Sequence, residues 1–163
     1  MLEDLLDTWQ AHNAINVKLL ESLPEGGLEA VSVSGGMTVA QQFGHMHTVR
    51  IRWIEGSEPK LTEASQHFKR DEVIGLETLQ TALNDSASIV ETFLKHRYES
   101  GKKVQGFPSS LTAFVGYLIS HESHHRGQMV LALKQTGLKP DKELLMGLWQ
   151  GWWARAESKS GEA

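Results

Sequence analysis

The chain contains no cysteine. That excludes disulfides, iron–sulfur clusters, zinc knuckles and a protein thiol nucleophile, so any thiolate chemistry must use a thiol brought by another molecule. It also lacks a basic excess: 16 Lys and Arg stand against 20 Asp and Glu, for a formal charge of −4 with both signs interspersed. A nucleic-acid binder normally shows a basic face or stripe, and the pair Lys102-Lys103 is too short to make one. No apolar run approaches the length of a membrane span. The opening MLEDLLDTWQ is acidic and amphipathic, without the basic start and apolar run of a signal peptide, which points to a cytoplasmic protein.

Strand-like alternation is also scarce, confined to AVSVSGG at 30–36. Elsewhere apolar residues recur at helical spacing. A first helix is expected from about Leu2 to Leu23, ended by Pro24 and the glycines at 26–27. A second is capped by Thr38 with Gln41 three residues on, runs to Glu55, and is closed by Gly56 and Pro59. The third is expected over Asp71–Glu99 and the fourth from Ser109 to Gly137, with Gly137 as the residue after its cap. A shorter aromatic helix, 142–156, carries Trp149, Trp152 and Trp153. The pattern predicts an all-α four-helix bundle with a short C-terminal helix. Residues 57–70 are a longer link than antiparallel neighbours need, so helices two and three are expected to be joined by a long crossover. One domain over 1–157 and a frayed tail at 158–163 complete the expected layout.

Residues 121–125, HESHH, match the zinc-protease pattern H-E-x-x-H. The extended protease form needs glycine at 128 and histidine at 131, where this chain has Gln128 and Leu131, and no histidine follows His125. Nor is there a sheet whose edge could grip a peptide. The protease reading fails.

The pair His121/His125 remains informative. Four residues apart, they sit about 40° apart on a helical wheel, on the edge of the stripe formed by Phe114, Leu118, Met129 and Leu133, while His124 falls well off it. Two imidazoles at this spacing can bite one metal ion, given a third ligand from another helix. The second helix offers His45 and His47, on opposite borders of its apolar stripe, and periodicity does not choose between them.

Three segments resemble the DinB-like (DinB/YfiT) superfamily of metal-dependent four-helix bundles: TVAQQFGHMHTVRIRW, HESHHRGQM and GLWQGWW. The second contains the H-x-x-x-H-R-G-Q signature, and TWQAHN near the start is also compatible. By position, the resemblance implies a metal site of His45, His121 and His125, with His47 two residues beyond the matching place. Glu122 is not required by the motif; it is expected either to orient a ligand imidazole from outside the site or to be a polar border residue.

Three imidazoles leave a divalent ion an open position, the pattern of a catalytic site. Zinc or nickel is expected, with iron as an alternative. The resemblance implies S-transfer or isomerisation with a small cellular thiol as cosubstrate and a small electrophile as its partner. That electrophile would sit between helices two and four, with the 101–108 loop and Trp149 or Trp152 as walls. A homodimer is also implied. The competing readings are a non-catalytic metal-binding stress or scaffold protein, whose site His47 or Glu122 would close as a fourth ligand, and a metal-dependent hydrolase.

Overall fold

Thr38 begins the second helix as its side chain predicts. Its hydroxyl accepts the Gln41 backbone N–H (3.2 Å), while the Thr38 N–H donates to the Gln41 side chain (2.9 Å), so two otherwise unpaired donors are satisfied. Ser110 and Asp141 cap two later helices through the backbone N–H of Ala113 and Leu144. At the far end of the fourth helix Gly137 takes a left-handed φ of 80°, and the Leu138 N–H reaches back to the Leu133 carbonyl at 2.9 Å, which stops the helix there.

The computed structural model describes residues 1–153. Its helices are α1 (Leu2–Glu21), α2 (Val39–Glu55), α3 (Leu76–Ser100), α4 (Leu111–Gln135) and α5 (Lys142–Gln150), with a single 3-10 turn at Pro59–Leu61. No strand forms among the described residues. AVSVSGG is loop and turn, and the one β-type pairing is an isolated bridge between Val104 and Phe107.

Two expected boundaries move. The third helix begins at Leu76, not Asp71, because the segment before it stays with the crossover: Ile74 is buried against α2, and Gly75 is extended as the N-cap. The aromatic helix ends at Gln150, so Trp152 and Trp153 lie in the turn beyond it. The expected tail at 158–163 lies outside the described residues.

Side-chain bonds fix the direction of each helix. Trp9 and Asn13 of α1 meet Ala87 and Asn84 of α3, so these two run in opposite directions. His47 and Arg50 of α2, and Ser57 just beyond its end, meet Ala82, Ser86 and Arg97 of α3, so α2 and α3 run in the same direction. Gln42 and Trp53 meet His125 and Tyr117, making α4 antiparallel to α2. The order is up-down-down-up. Parallel neighbours cannot be joined by a tight turn, and residues 56–75 carry the chain back along α2.

The core falls into two apolar clusters. One holds Leu19, Phe43, Met46, Leu83 and Leu133; the other holds Trp9, Ile54, Phe93, Phe114 and Leu118. Each such side chain contributes about 1.5–3 kcal/mol by leaving water. Between the clusters, every long helix contributes buried polar groups: His12, Asn13 and Asn16 from α1, Arg50 from α2, Ser86 from α3 and Glu122 from α4. The metal-ligand candidates lie at the level of this layer.

Candidate metal centre

Because α2 and α4 run antiparallel, His45 comes level with the turn of α4 that carries His121 and His125. One potential ligand nitrogen from each of the three lies within 4.8 Å of the others. The ring centroids form a triangle of 5.2 Å (His45–His121), 4.9 Å (His45–His125) and 4.7 Å (His121–His125). His125 is buried, and His45 and His121 are half-buried, so the triangle opens to solvent on one side.

The electrostatics favour neutral imidazoles, the form that ligates. Burial lowers the pKa of His45, and His121, Arg52 and Arg70 push it the same way. Burial lowers that of His121 too, opposed by Glu122 and reinforced by His124. In His125, burial and then the charges of His121 and His45 bring it down to about 4. His121 Nδ1 is buried without a hydrogen-bond partner, a polar atom that a metal ion or a bound molecule would satisfy. The residues fit a divalent cation that prefers nitrogen ligands.

Orientation comes from Gln42. The Nδ1–H of His125 donates to Gln42 Oε1 at 3.2 Å, which leaves the opposite ring nitrogen free, and the Gln42 amide in turn donates to the Met37 carbonyl at 3.4 Å. Gln42 lies one turn before His45 on the same helix face and is buried, yet glutamine in an N-terminal turn carries no signal beyond that spacing.

The two candidates for a closing fourth ligand are both engaged elsewhere. His47 points to α3 and the crossover, where Nδ1 lies 2.9 Å from the Ala82 carbonyl and Nε2 lies 2.7 Å from the Gln66 carbonyl. Glu122 does not orient a ligand imidazole. Its Oε1 accepts Arg50 Nε, and its Oε2 accepts the second arm of Arg50, both at 2.7 Å; Oε2 also meets His12 Nε2 at 2.9 Å and Asn16 Nδ2 at 2.8 Å. Burial alone would raise its pKa, but Arg50 and His12 hold it at about 2, so Glu122 is ionised and Arg50 neutralises it. His12 is kept neutral, burial outweighing its bond to Glu122. His124 is exposed, as its wheel position predicts.

The expected tryptophan walls are also displaced. Trp152 packs toward His12, with ring centroids 6.0 Å apart, and Trp149 borders the cleft between α4 and α5, on another face of α4 from the three histidines. The aromatic wall of the site is made instead by Tyr117, Trp53 and Phe107. Tyr117 stacks on His121 (centroids 6.1 Å, planes 24° apart), and Trp53 donates its indole N–H to the Tyr117 hydroxyl at 3.3 Å. Phe107, from the 101–108 loop, packs on both at 5.7 and 5.9 Å. Phe107 is the part of the expected pocket that does reach this place.

Comparison with known proteins agrees with this arrangement at the level of family. Searches of curated proteins and of solved structures returned no match. The family model described as "DinB family" matches residues 1–157, nearly the whole chain, and includes all three clustered histidines. The chain belongs to the DinB family.

Proposed function

We propose that this protein is a metal-dependent enzyme whose His45, His121 and His125 hold one divalent ion, zinc or nickel, and which transfers or isomerises a substrate with the help of a small thiol. One observation carries the reading: three neutral imidazoles converge with an open side, while both residues able to close the site, His47 and Glu122, are bound to other groups. A closed structural site, as the scaffold reading requires, lacks its fourth ligand in this arrangement.

A divalent ion held there would supply the Lewis acidity that ionises a thiol near neutral pH. The chain's own groups supply the rest. Gln42 fixes the His125 ring, and the buried Arg50–Glu122 pair holds α2 and α4 in register beside the site. Tyr117, Trp53 and Phe107 offer an apolar wall for the electrophile next to His121. The Tyr117 hydroxyl accepts from Trp53 and so retains its own hydrogen to donate to a bound molecule. With no cysteine in the chain, the thiol is a cosubstrate.

The test begins with metal content. Wild type is expected to hold about one divalent ion per chain, lost in His45→Ala, His121→Ala and His125→Ala and kept in His47→Ala. Thiol consumption with small electrophiles is then measured on the metal-loaded protein. A wild type that takes up no ion from added zinc or nickel overturns the site. An ion held without any thiol consumption, but with hydrolysis of activated esters or amides, favours the hydrolase reading.

A further inference from the structure

On the face of α4 that turns away from α2, Ser123, Arg126, Gly127, Val130 and Lys134 recur at helical spacing and border a cleft closed on its other side by α5. The cleft encloses about 490 Å³, within the range of small-molecule sites. Its walls are apolar, with Leu145, Leu148, Trp149 and Trp152 facing Val130. Gly127 leaves the floor open, since a Cβ built there meets no atom within 4 Å.

Both charged residues lining this cleft are cations, in a chain of net charge −4. Neither Arg126 nor Lys134 forms an ion pair among the described residues. Arg126 lies at the inner end, where one guanidinium arm donates to Asn16 Oδ1 (2.6 Å) and the other to Ser123 Oγ (3.0 Å). Two of its five N–H groups are used, and three remain to donate to an anion such as a carboxylate. Lys134 stands eight residues further along, about 12 Å at 1.5 Å per residue. Trp149, 65% exposed, is an indole that burial against a ligand would favour.

We infer that this cleft is a second binding site, separate from the three histidines, which seats a small amphipathic carboxylate with its head on Arg126 and its apolar body between Val130 and the Trp149–Trp152 wall. Lys134 at the rim adds attraction for the same charge.

The probe is decanoate, titrated calorimetrically into the full-length metal-loaded protein, with decanol and decyltrimethylammonium as neutral and cationic counterparts of similar length. Decanoate is expected to bind one per chain, and the two counterparts at least about tenfold more weakly, the factor expected when a charge-assisted bond is lost. Lys134→Glu, at an exposed position, is expected to weaken decanoate severalfold. A Cβ at Gly127 meets no neighbour, so Gly127→Trp directs its ring over the floor and is expected to abolish binding while metal content and helicity stay unchanged. Absence of decanoate binding overturns the proposal, as does equal binding of decanol or an unchanged affinity in Gly127→Trp. If Gly127→Trp instead splits a dimer that decanoate leaves intact, the cleft is covered by a second copy of the chain and the proposal also falls.

Discussion

Arg50 grips Glu122 with two parallel bonds, Nε to Oε1 and its terminal nitrogen to Oε2, each 2.7 Å, and the two side chains have essentially no exposure. Arg50 lies five residues after His45 on α2, and Glu122 lies between His121 and His125 on α4. The pair therefore sets the register of the two helices that carry the clustered histidines. It is itself enclosed: the other terminal nitrogen of Arg50 donates to Asn13 Oδ1 and the Leu83 carbonyl at 2.9 Å, and its guanidinium carbon lies 4.7 Å from the centre of the Trp9 ring.

Removing one partner leaves the other buried and uncompensated. Glu122→Ala is expected to cost about 3–5 kcal/mol of unfolding free energy, the usual penalty for breaking a buried pair from one side. Urea denaturation of the metal-free chain measures it. A loss below about 1 kcal/mol, the scale of an exposed pair, would show that Arg50 finds water in the folded protein.

Gln42→Ala acts on the metal without touching a ligand. The variant frees the His125 ring to rotate, and metal affinity should fall by about 10–100-fold, as when such outer partners are removed elsewhere. Competition against a chromogenic chelator reads this directly. Unchanged affinity would mean that packing alone orients His125.

Gly44 stands immediately before His45, where the crossover presses on α2. A Cβ built there meets Ile74 Cδ1 at 2.7 Å and the Phe68 ring at 3.3 Å. Gly44→Ala should therefore lose the usual helical advantage of alanine over glycine and instead destabilise the fold by about 1–3 kcal/mol, the range for overpacking. Faster amide exchange in residues 66–75 is the local sign to look for. A more stable variant would mean that the crossover yields freely.

The acid response of the metal-free chain follows from Glu122 and from its buried and half-buried histidines. His12, His45, His47 and His121 are shifted in the same direction as His125. His125, about 4 when folded, binds protons more readily unfolded, near its ordinary 6.5. Its stabilising contribution is full above about pH 6.5, falls as the pH drops, and is entirely lost below about 4. The unfolded state binds more protons in this window, so stability rises with pH there. Glu122, about 2 when folded against an ordinary 4.5, adds a second loss between about pH 4.5 and 2. Denaturant midpoints from pH 8 to pH 3 should be flat and then fall progressively below 6.5. His125→Gln makes the first part of the decline shallower, the other shifted histidines keeping the remainder, and leaves the second.

The elements that rest on near neighbours in the chain were legible from the residues alone. Apolar spacing located the four long helices, the Thr38–Gln41 pair marked where α2 begins, and Gly137 marked where α4 stops, because the chemistry of each lies within a few residues. The pairing of His121 with His125 was equally local, since four residues on a helix bring two rings to one face. The choice of His45 over His47 was not. Both border the apolar stripe of α2, and the family motif, not the wheel, favoured His45. What separates them physically is distant in sequence: the Ala82 and Gln66 carbonyls occupy both nitrogens of His47, whereas α4 brings two imidazoles to His45.

The same reason explains the other departures. Glu122 looked like a helper of the histidine beside it, but its partners are His12 and Asn16 on α1 and Arg50 on α2, which no spacing on α4 can reveal. Trp149 and Trp152 looked like walls for the metal site until α5 packed on the other side of α4, leaving that role to Trp53, Phe107 and Tyr117. By itself the sequence determined the helices, their caps and the face on which His121 and His125 meet, since those depend on contacts a turn or two apart. Only the tertiary structure decided which helices lie side by side and in which direction. That alone settles which polar groups are taken up in the buried layer and which remain free at the open side of the three histidines.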